Sequence, residues 1–324
     1  MSVLLARLAS PKLTLAILAA IAASVLMTEA RWSGATEGLA VALSLVVVNL
    51  AAATIINPAF RRQSALLVFH LSLIAIILLV ASSRLCYLKG HLELAAGESF
   101  AGLLTDFEAG PWHRGQLDAA AFTNDGFAVN YDPGLLRGKT VNRVHWNDEN
   151  GRAHRAVIGD NHPLVLHGYR FYTSFNKGFA PAFLWLPKSG GQTVRGTVHL
   201  PSYPMHEAQQ SIEWAPPNST TRIWTTLHID EPLLDPQRVS HFALPSNYRL
   251  VVRAGEARYD LRPGDRVSLS DGILIFEGLS TWMGYTVFYD WTSPWLLASC
   301  LVAALSLAWH YWRKFIAPSK PKGE

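Results

Sequence analysis

The sequence predicts an integral membrane protein: four transmembrane α-helices, with a large extracytoplasmic antiparallel all-β domain inserted between the third and fourth. Three observations carry this. Half of the 324 residues are hydrophobic and only 16% are charged, against about 25% charged in an average soluble domain. The apolar excess sits at the two ends, while the stretch from about Lys89 to Asp290 has an ordinary soluble composition. Inside that stretch, short apolar–polar alternations recur between turn residues, the period of half-buried strands.

Each helix follows from an apolar run close to the roughly 20 residues that a bilayer requires. The runs extend from about Leu13 to Met27, Leu39 to Ile56, Ala65 to Ser82 and Trp295 to Trp309. Orientation follows from the cations. Arg7 and Lys12 precede the first run, Arg61 and Arg62 lie between the second and third, and Arg313, Lys314, Lys320 and Lys322 follow the fourth. The loop after the first run offers only Arg31, offset by Glu29 and Glu37. The positive-inside rule then places both termini in the cytoplasm and the insert outside. Cations in these places explain the net charge of +4 through membrane topology, and nucleic acid is not expected as a partner. Thr28-Glu29-Ala30 is a weak signal-peptidase triplet, and the expectation is that the first helix is retained.

The expected division is therefore residues 1–88 with three helices, 89–291 with the β-rich domain, and 292–324 with the fourth helix and a short basic cytoplasmic tail. The expected strands are Phe127–Tyr131, Val141–Trp146, Arg155–Ile158, Tyr169–Phe175, Ala182–Leu186, Arg222–Ile229, Arg249–Arg253 and Ile273–Phe276. Turn signals such as Asp132-Pro133-Gly134 and Pro263-Gly264-Asp265 lie among them. They suit a sandwich, or two small stacked ones. The stretch Leu200–Thr221, rich in Pro, Ser, Asn and Gln, reads as a loop or a flexible insertion.

Ionisable groups within apolar helices are functional candidates, because burying them is costly. His70 stands in Val68-Phe69-His70-Leu71-Ser72, about 8 Å into the third helix from its cytoplasmic end. Neutral imidazole is a haem-iron ligand of choice in membrane helices; the plainer alternative is a histidine hydrogen-bonded to a neighbouring helix. His310, beside Tyr311, Trp312 and Arg313, lies at the same inner end. It is a weaker haem candidate, because a histidine among aromatic and basic residues suits an interfacial anchor. The other ten of the 12 histidines form no HExxH or zinc spacing, and solvated or turn positions account for them. The two cysteines, Cys86 and Cys300, form no CxxC and read as packing residues. No GxSxG, P-loop or dinucleotide fingerprint is present, and the isolated carboxylates do not pair for acid–base work, so no catalytic residues are assigned. Trp282, Tyr285, Phe288, Tyr289, Trp291 and Trp295 crowd the approach to the fourth helix and suit an outer-interface aromatic belt, with a platform for a flat ligand such as haem, or for a partner's surface, as the compatible functional reading.

The order of these features resembles the ResB (CcsB) family of cytochrome c biogenesis proteins. The likeness is carried by His70 with its apolar helix, then Gly90-His91-Leu92-Glu93-Leu94 with Gly97-Glu98, and Asp125-Gly126-Phe127-Ala128-Val129-Asn130-Tyr131 with Gly134 and Lys139. Its most specific piece is Asn161-His162-Pro163-Leu164 followed by Gly168-Tyr169-Arg170-Phe171-Tyr172, similar to the family's Asn-x-Pro-Leu…Gly…Tyr signature. Gly272-Ile273-Leu274-Ile275-Phe276, Gly278 and Asp290 resemble its closing segment. The likeness thins over about Leu200–Asn247, and the external region is shorter than is usual in the family. The resemblance implies the System II pathway: transport of haem b across the inner membrane and its delivery to apocytochrome c. It also implies a ResC (CcsA)-type partner bearing a tryptophan-rich WWD segment, since Trp282-Met283-Gly284 does not qualify as one. His70 matches the position of the family's transmembrane haem-ligand histidine. The competing expectation is a non-haem scaffold or assembly subunit of another complex that reuses this architecture.

Overall fold

The computed structural model describes residues 2–30 and 32–316. Arg31 of the first loop and Lys320 and Lys322 of the expected basic tail lie outside the described residues. The chain forms two compact units, one of residues 1–88, 108–115 and 289–324 and the other of residues 89–107 and 116–288.

Among the described residues, the first unit holds six helices: α1 (Ser2–Leu8), α2 (Pro11–Glu29), α3 (Ala35–Ile56), α4 (Pro58–Arg62), α5 (Ser64–Cys86) and α6 (Ser293–Ile316). Among the described residues, α2, α3, α5 and α6 are long and apolar enough to cross a membrane. They enclose the four expected runs with one to seven extra residues at most ends. The extension is largest in α6, where Trp312, Arg313 and Lys314 continue the helix to Ile316. Neighbouring helices pack as α2 on α3, α3 on α5 and α5 on α6. Leu15, Leu18, Val41, Leu45, Leu71, Leu297, Leu301 and Leu305 point outward, each at least half exposed. In water that would be an unstable surface; hydrocarbon is the solvent it suits.

Polar side chains in these helices are satisfied locally. Ser24, Thr28, Ser44, Ser72 and Ser82 each donate to the carbonyl four residues earlier, at 2.8–2.9 Å. Asn49, buried in α3, accepts from Thr14 Oγ1 of α2 at 2.8 Å and donates to the Leu8 carbonyl. Pro58 starts α4 where no backbone donor is required, and Asn57 caps it by accepting from the Ala59 N–H at 3.0 Å. The segment 108–115 lies on the end of α5. Gly110 N–H donates to the Tyr87 carbonyl at 2.9 Å and Trp112 N–H to the Leu85 carbonyl at 2.8 Å. A Cβ at Gly110 would collide with that Leu85 carbonyl, so glycine is required for the close approach.

The second unit is all β, in three sheets. One runs in the order Asp106–Ala109, Leu88–Ala95, Gly272–Tyr289, Tyr169–Pro187, Leu164–Leu166, with Arg266–Ser268 and Val194–Thr197 paired at its sides. Another has four strands in the order Ser211–Trp214, Ile223–Ile229, Tyr248–Ala254, Ala257–Leu261. The last has the order Ser240–His241, Phe122–Asp132, Leu136–Asn147, Ala153–Gly159, with Ser99–Phe100 beside Phe122–Asp132. Phe179, Phe183, Ile223, Leu250, Leu274 and Phe276 head one shared core, each no more than 3% exposed. The Gly168-Tyr169 motif is a two-residue hairpin. His167 and Gly168 both take positive φ (49° and 84°), and Leu166 pairs with Tyr169. That is the turn geometry that favours glycine between strands.

Three expectations are corrected here. Tyr169–Phe175 and Ala182–Leu186 are parts of one strand of 19 residues. Leu200–Thr221 is not simply a loop, since it contains the strand Ser211–Trp214 and buries Leu200, Tyr203 and Gln210. Trp282 and Tyr285 are not a belt: they lie within Gly272–Tyr289 and are 3% and 0% exposed. Only Phe288, Trp291 and Trp295 of that group are appreciably exposed large hydrophobics.

Candidate functional site

His70 occupies the second turn of α5, where it is half-buried. Its Nδ1 lies 2.8 Å from the Leu66 carbonyl oxygen. A carbonyl only accepts, so Nδ1 carries a proton, and Nε2 is the ring nitrogen left to act as a donor to a metal. This corrects the expected alternative of a bond to a neighbouring helix, because the partner is on α5 itself. The Phe60 ring of α4 meets the imidazole edge-on at 4.4 Å, and Phe69 does so at 5.3 Å. A histidine oriented through Nδ1 by a backbone carbonyl and walled by aromatic rings is a suitable donor to iron.

His310 lies elsewhere. It lines an open cavity of about 400 Å³ together with Arg62, Gln63, Ala65, Arg313 and Lys314. His70 is not among the described residues lining that cavity, so the two histidines are not brought to one cavity. Tyr311 packs edge-on against His310 at 5.4 Å.

At the opposite end of the bundle, Glu37, Ala40, Val41, Ser44, Leu45, Val48, Leu85 and Trp112 line a mostly apolar groove of about 330 Å³. His113 Nδ1 donates to the Cys86 carbonyl at 2.9 Å. Cys86 is half-buried and Cys300 faces outward, both as free thiols. Among the described residues, no group of three or more His, Cys, Asp or Glu could hold a metal ion.

In the β unit most histidines are exposed, and several meet carboxylates: His91 with Asp106 at 2.8 Å, His145 with Asp125 at 2.7 Å and His154 with Asp148 at 3.1 Å. His199 departs from the solvated reading. Its ring stacks on Trp282 (5.3 Å, 9°), its Nδ1 donates to Glu93 at 2.9 Å, and its Nε2 stands 3.8 Å from Glu98. That last separation is an ion-pair contact rather than a hydrogen bond. Burial opposes charge on this imidazole, but the bonds and attraction of Glu93 and Glu98 outweigh it and raise its pKa to about 9. The contact with His199 in turn holds the Glu98 carboxyl below its usual range. Sequence reasoning missed the cluster because Glu93 is 106 residues away in the chain; no local spacing signals it.

The sign of the resulting pH dependence is fixed. A histidine whose folded pKa exceeds its unfolded value of about 6.5 adds stability that is complete below 6.5 and lost as pH rises through about 9. The contribution is on the order of 3 kcal/mol. Thermal unfolding of the full chain is expected to move to lower temperature between pH 7 and 10, and His199→Gln is expected to flatten that slope. A slope unchanged in the variant would remove His199 as its cause.

Residues 59–210 match the ResB-like family. The match takes in α4, α5 with His70, and the β unit as far as Gln210; it does not reach α6 or His310. No curated protein matches the sequence.

Proposed function

From the match of residues 59–210 to the ResB-like family, we propose a membrane subunit of a System II cytochrome c assembly complex that helps carry haem b across the inner membrane and deliver it to apocytochrome c. The observation that carries this reading is the placement of His70. It lies inside the family match, within an apolar helix, and its Nδ1 bond to Leu66 leaves Nε2 as the basic nitrogen. Haem is cargo here, and an axial imidazole would hold and orient its iron during passage. Phe60 and Phe69 supply apolar walls suited to a porphyrin. A second axial donor from His310 would require both histidines to share one cavity, so the reading rests on His70.

Topology supports the direction of transport. Arg7, Lys12, Arg61, Arg62, Arg313 and Lys314 flank the same ends of alternating helices, so both termini face the cytoplasm and the β unit lies outside. Haem entering from the cytoplasm carries two propionates that are expensive in hydrocarbon; a protein path offsets that cost. The thioether chemistry takes place on the far side, with a WWD-bearing ResC-type partner presenting haem to the apocytochrome. This chain contributes binding, orientation and a β surface on which the partner or apocytochrome would rest.

Purification of the full chain from membranes tests the proposal. The expected result is co-isolation of a tryptophan-rich multi-span membrane protein and a haem absorbance band. A colourless preparation with subunits of an unrelated complex would return the protein to the scaffold reading.

A further inference from the structure

The cavity between α4, α5 and α6 has a charge that no described residue balances. Arg62, Arg313 and Lys314 converge on about 400 Å³ of open space with His310, Gln63 and Ala65. None of the three cations makes an ion pair among the described residues. The sequence explains why: no Asp or Glu occurs between Glu37 and Glu93, and none between Asp290 and Glu324. Cations in the last turn of a helix complement its dipole, which accounts for Arg313 and Lys314 on α6. Arg62 likewise ends α4, but a dipole at each helix end does not offset the mutual repulsion of three cations brought to one cavity. Three like charges held together without a counter-charge imply an anion supplied from outside.

We propose that this cavity binds the phosphate of an anionic phospholipid headgroup. Guanidinium groups present paired N–H donors that match phosphate oxygens, and Lys314 adds a point charge. The volume falls within the roughly 300–1,000 Å³ of small-molecule sites. The neighbouring surface selects a lipid over a free anion. Trp309, Tyr311, Trp312 and Phe315 stand exposed on the same turns of α6, at 49–85%. That aromatic collar marks the level where hydrocarbon gives way to headgroups. Basic pockets between helices at that level are headgroup sites. The inference shares with the proposed function only the membrane placement of the helices; it does not depend on haem.

The test uses the full chain in nanodiscs of phosphatidylcholine with or without phosphatidylglycerol, followed by native mass spectrometry of the lipid retained. Wild type is expected to retain phosphatidylglycerol in preference to phosphatidylcholine. The combined Arg62→Gln, Arg313→Gln and Lys314→Gln variant is expected to weaken that retention about 100-fold, at roughly five-fold per cation. The charge-keeping pair Arg62→Lys and Arg313→Lys is expected to retain most of it, which separates lost charge from lost folding. Equal retention of both lipids, or undiminished phosphatidylglycerol in the Gln variant, overturns the proposal. Binding of inorganic phosphate without retention of phosphatidylglycerol overturns the lipid assignment as well. Release of the chain from membranes by alkaline carbonate would overturn the membrane placement itself, whereas a colourless protein that keeps the lipid leaves this site standing and removes only the haem reading.

Discussion

Replacing His70 with phenylalanine is expected to eliminate the haem absorbance of the purified complex and, with it, cytochrome c maturation. Loss of an outer-shell partner alone typically weakens metal binding by roughly 10–100-fold, so removing the ligand itself is expected to exceed about 100-fold. Phenylalanine is the informative choice. It keeps an aromatic ring against Phe60 and Phe69, which preserves the packing of α4 on α5 while removing the nitrogen. A purely structural histidine would tolerate this change, because its one hydrogen bond runs to the i−4 carbonyl of its own helix, which already accepts a backbone bond. His70→Ala opens space at the same place, and free imidazole is expected to restore part of its absorbance, as it would for a missing iron donor. His310→Ala serves as the contrast, since His310 lines the separate basic cavity and its loss is expected to leave the spectrum in place. Normal absorbance and maturation in His70→Phe would sink the assignment of this residue, whatever the family.

The helical half of the fold was legible because the length of each apolar run dictates it. A helix must hide its backbone from hydrocarbon, so run length and flanking charge locate α2, α3, α5 and α6 with errors only at their ends. The β half was legible where one face of a strand is wet. It failed where both faces are covered. Lys177 to Pro181 are buried in succession, as are Trp282 to Tyr285, so the alternation that marks a strand disappears there. Gly178 and Pro181 then read as breaks within what is one continuous strand. Candidate sites divide in the same way. His70 stood out because an ionisable group in an apolar run is conspicuous on its own. His199 depends on Glu93, Glu98 and Trp282 from three other places in the chain, and the basic cavity depends on α4 and α6 meeting, a juxtaposition that only tertiary structure supplies.

The largest loss of stability is expected from Asn142→Ala, in the interior of the β unit. Asn142 is fully buried and serves three partners: its Oδ1 accepts from the Tyr285 hydroxyl at 2.8 Å, and its Nδ2 donates to Asn124 Oδ1 at 2.7 Å and to the Gly126 carbonyl at 3.0 Å. Asn124 continues the chain by donating from its own Nδ2 to the Leu94 carbonyl at 2.9 Å, and its Oδ1 also accepts from the Gly126 N–H at 2.9 Å. The network therefore ties Leu88–Ala95, Phe122–Asp132, Leu136–Asn147 and Gly272–Tyr289 together through buried polar groups. Alanine would orphan the Tyr285 hydroxyl and strip a donor from both Asn124 and Gly126, at about 1–3 kcal/mol for each unsatisfied group. A total near 4 kcal/mol corresponds to a fall of about 10 °C in the unfolding midpoint of a unit this size. Tyr285→Phe removes only one of the three bonds and is expected to cost about 1–2 kcal/mol. Because the orphaned hydroxyl is absent in the double variant, Asn142→Ala with Tyr285→Phe is expected to cost less than the sum of the single changes. Melting curves of the four full-length proteins, followed by tryptophan fluorescence, decide it: strict additivity would mean that the two side chains are not coupled in the folded protein.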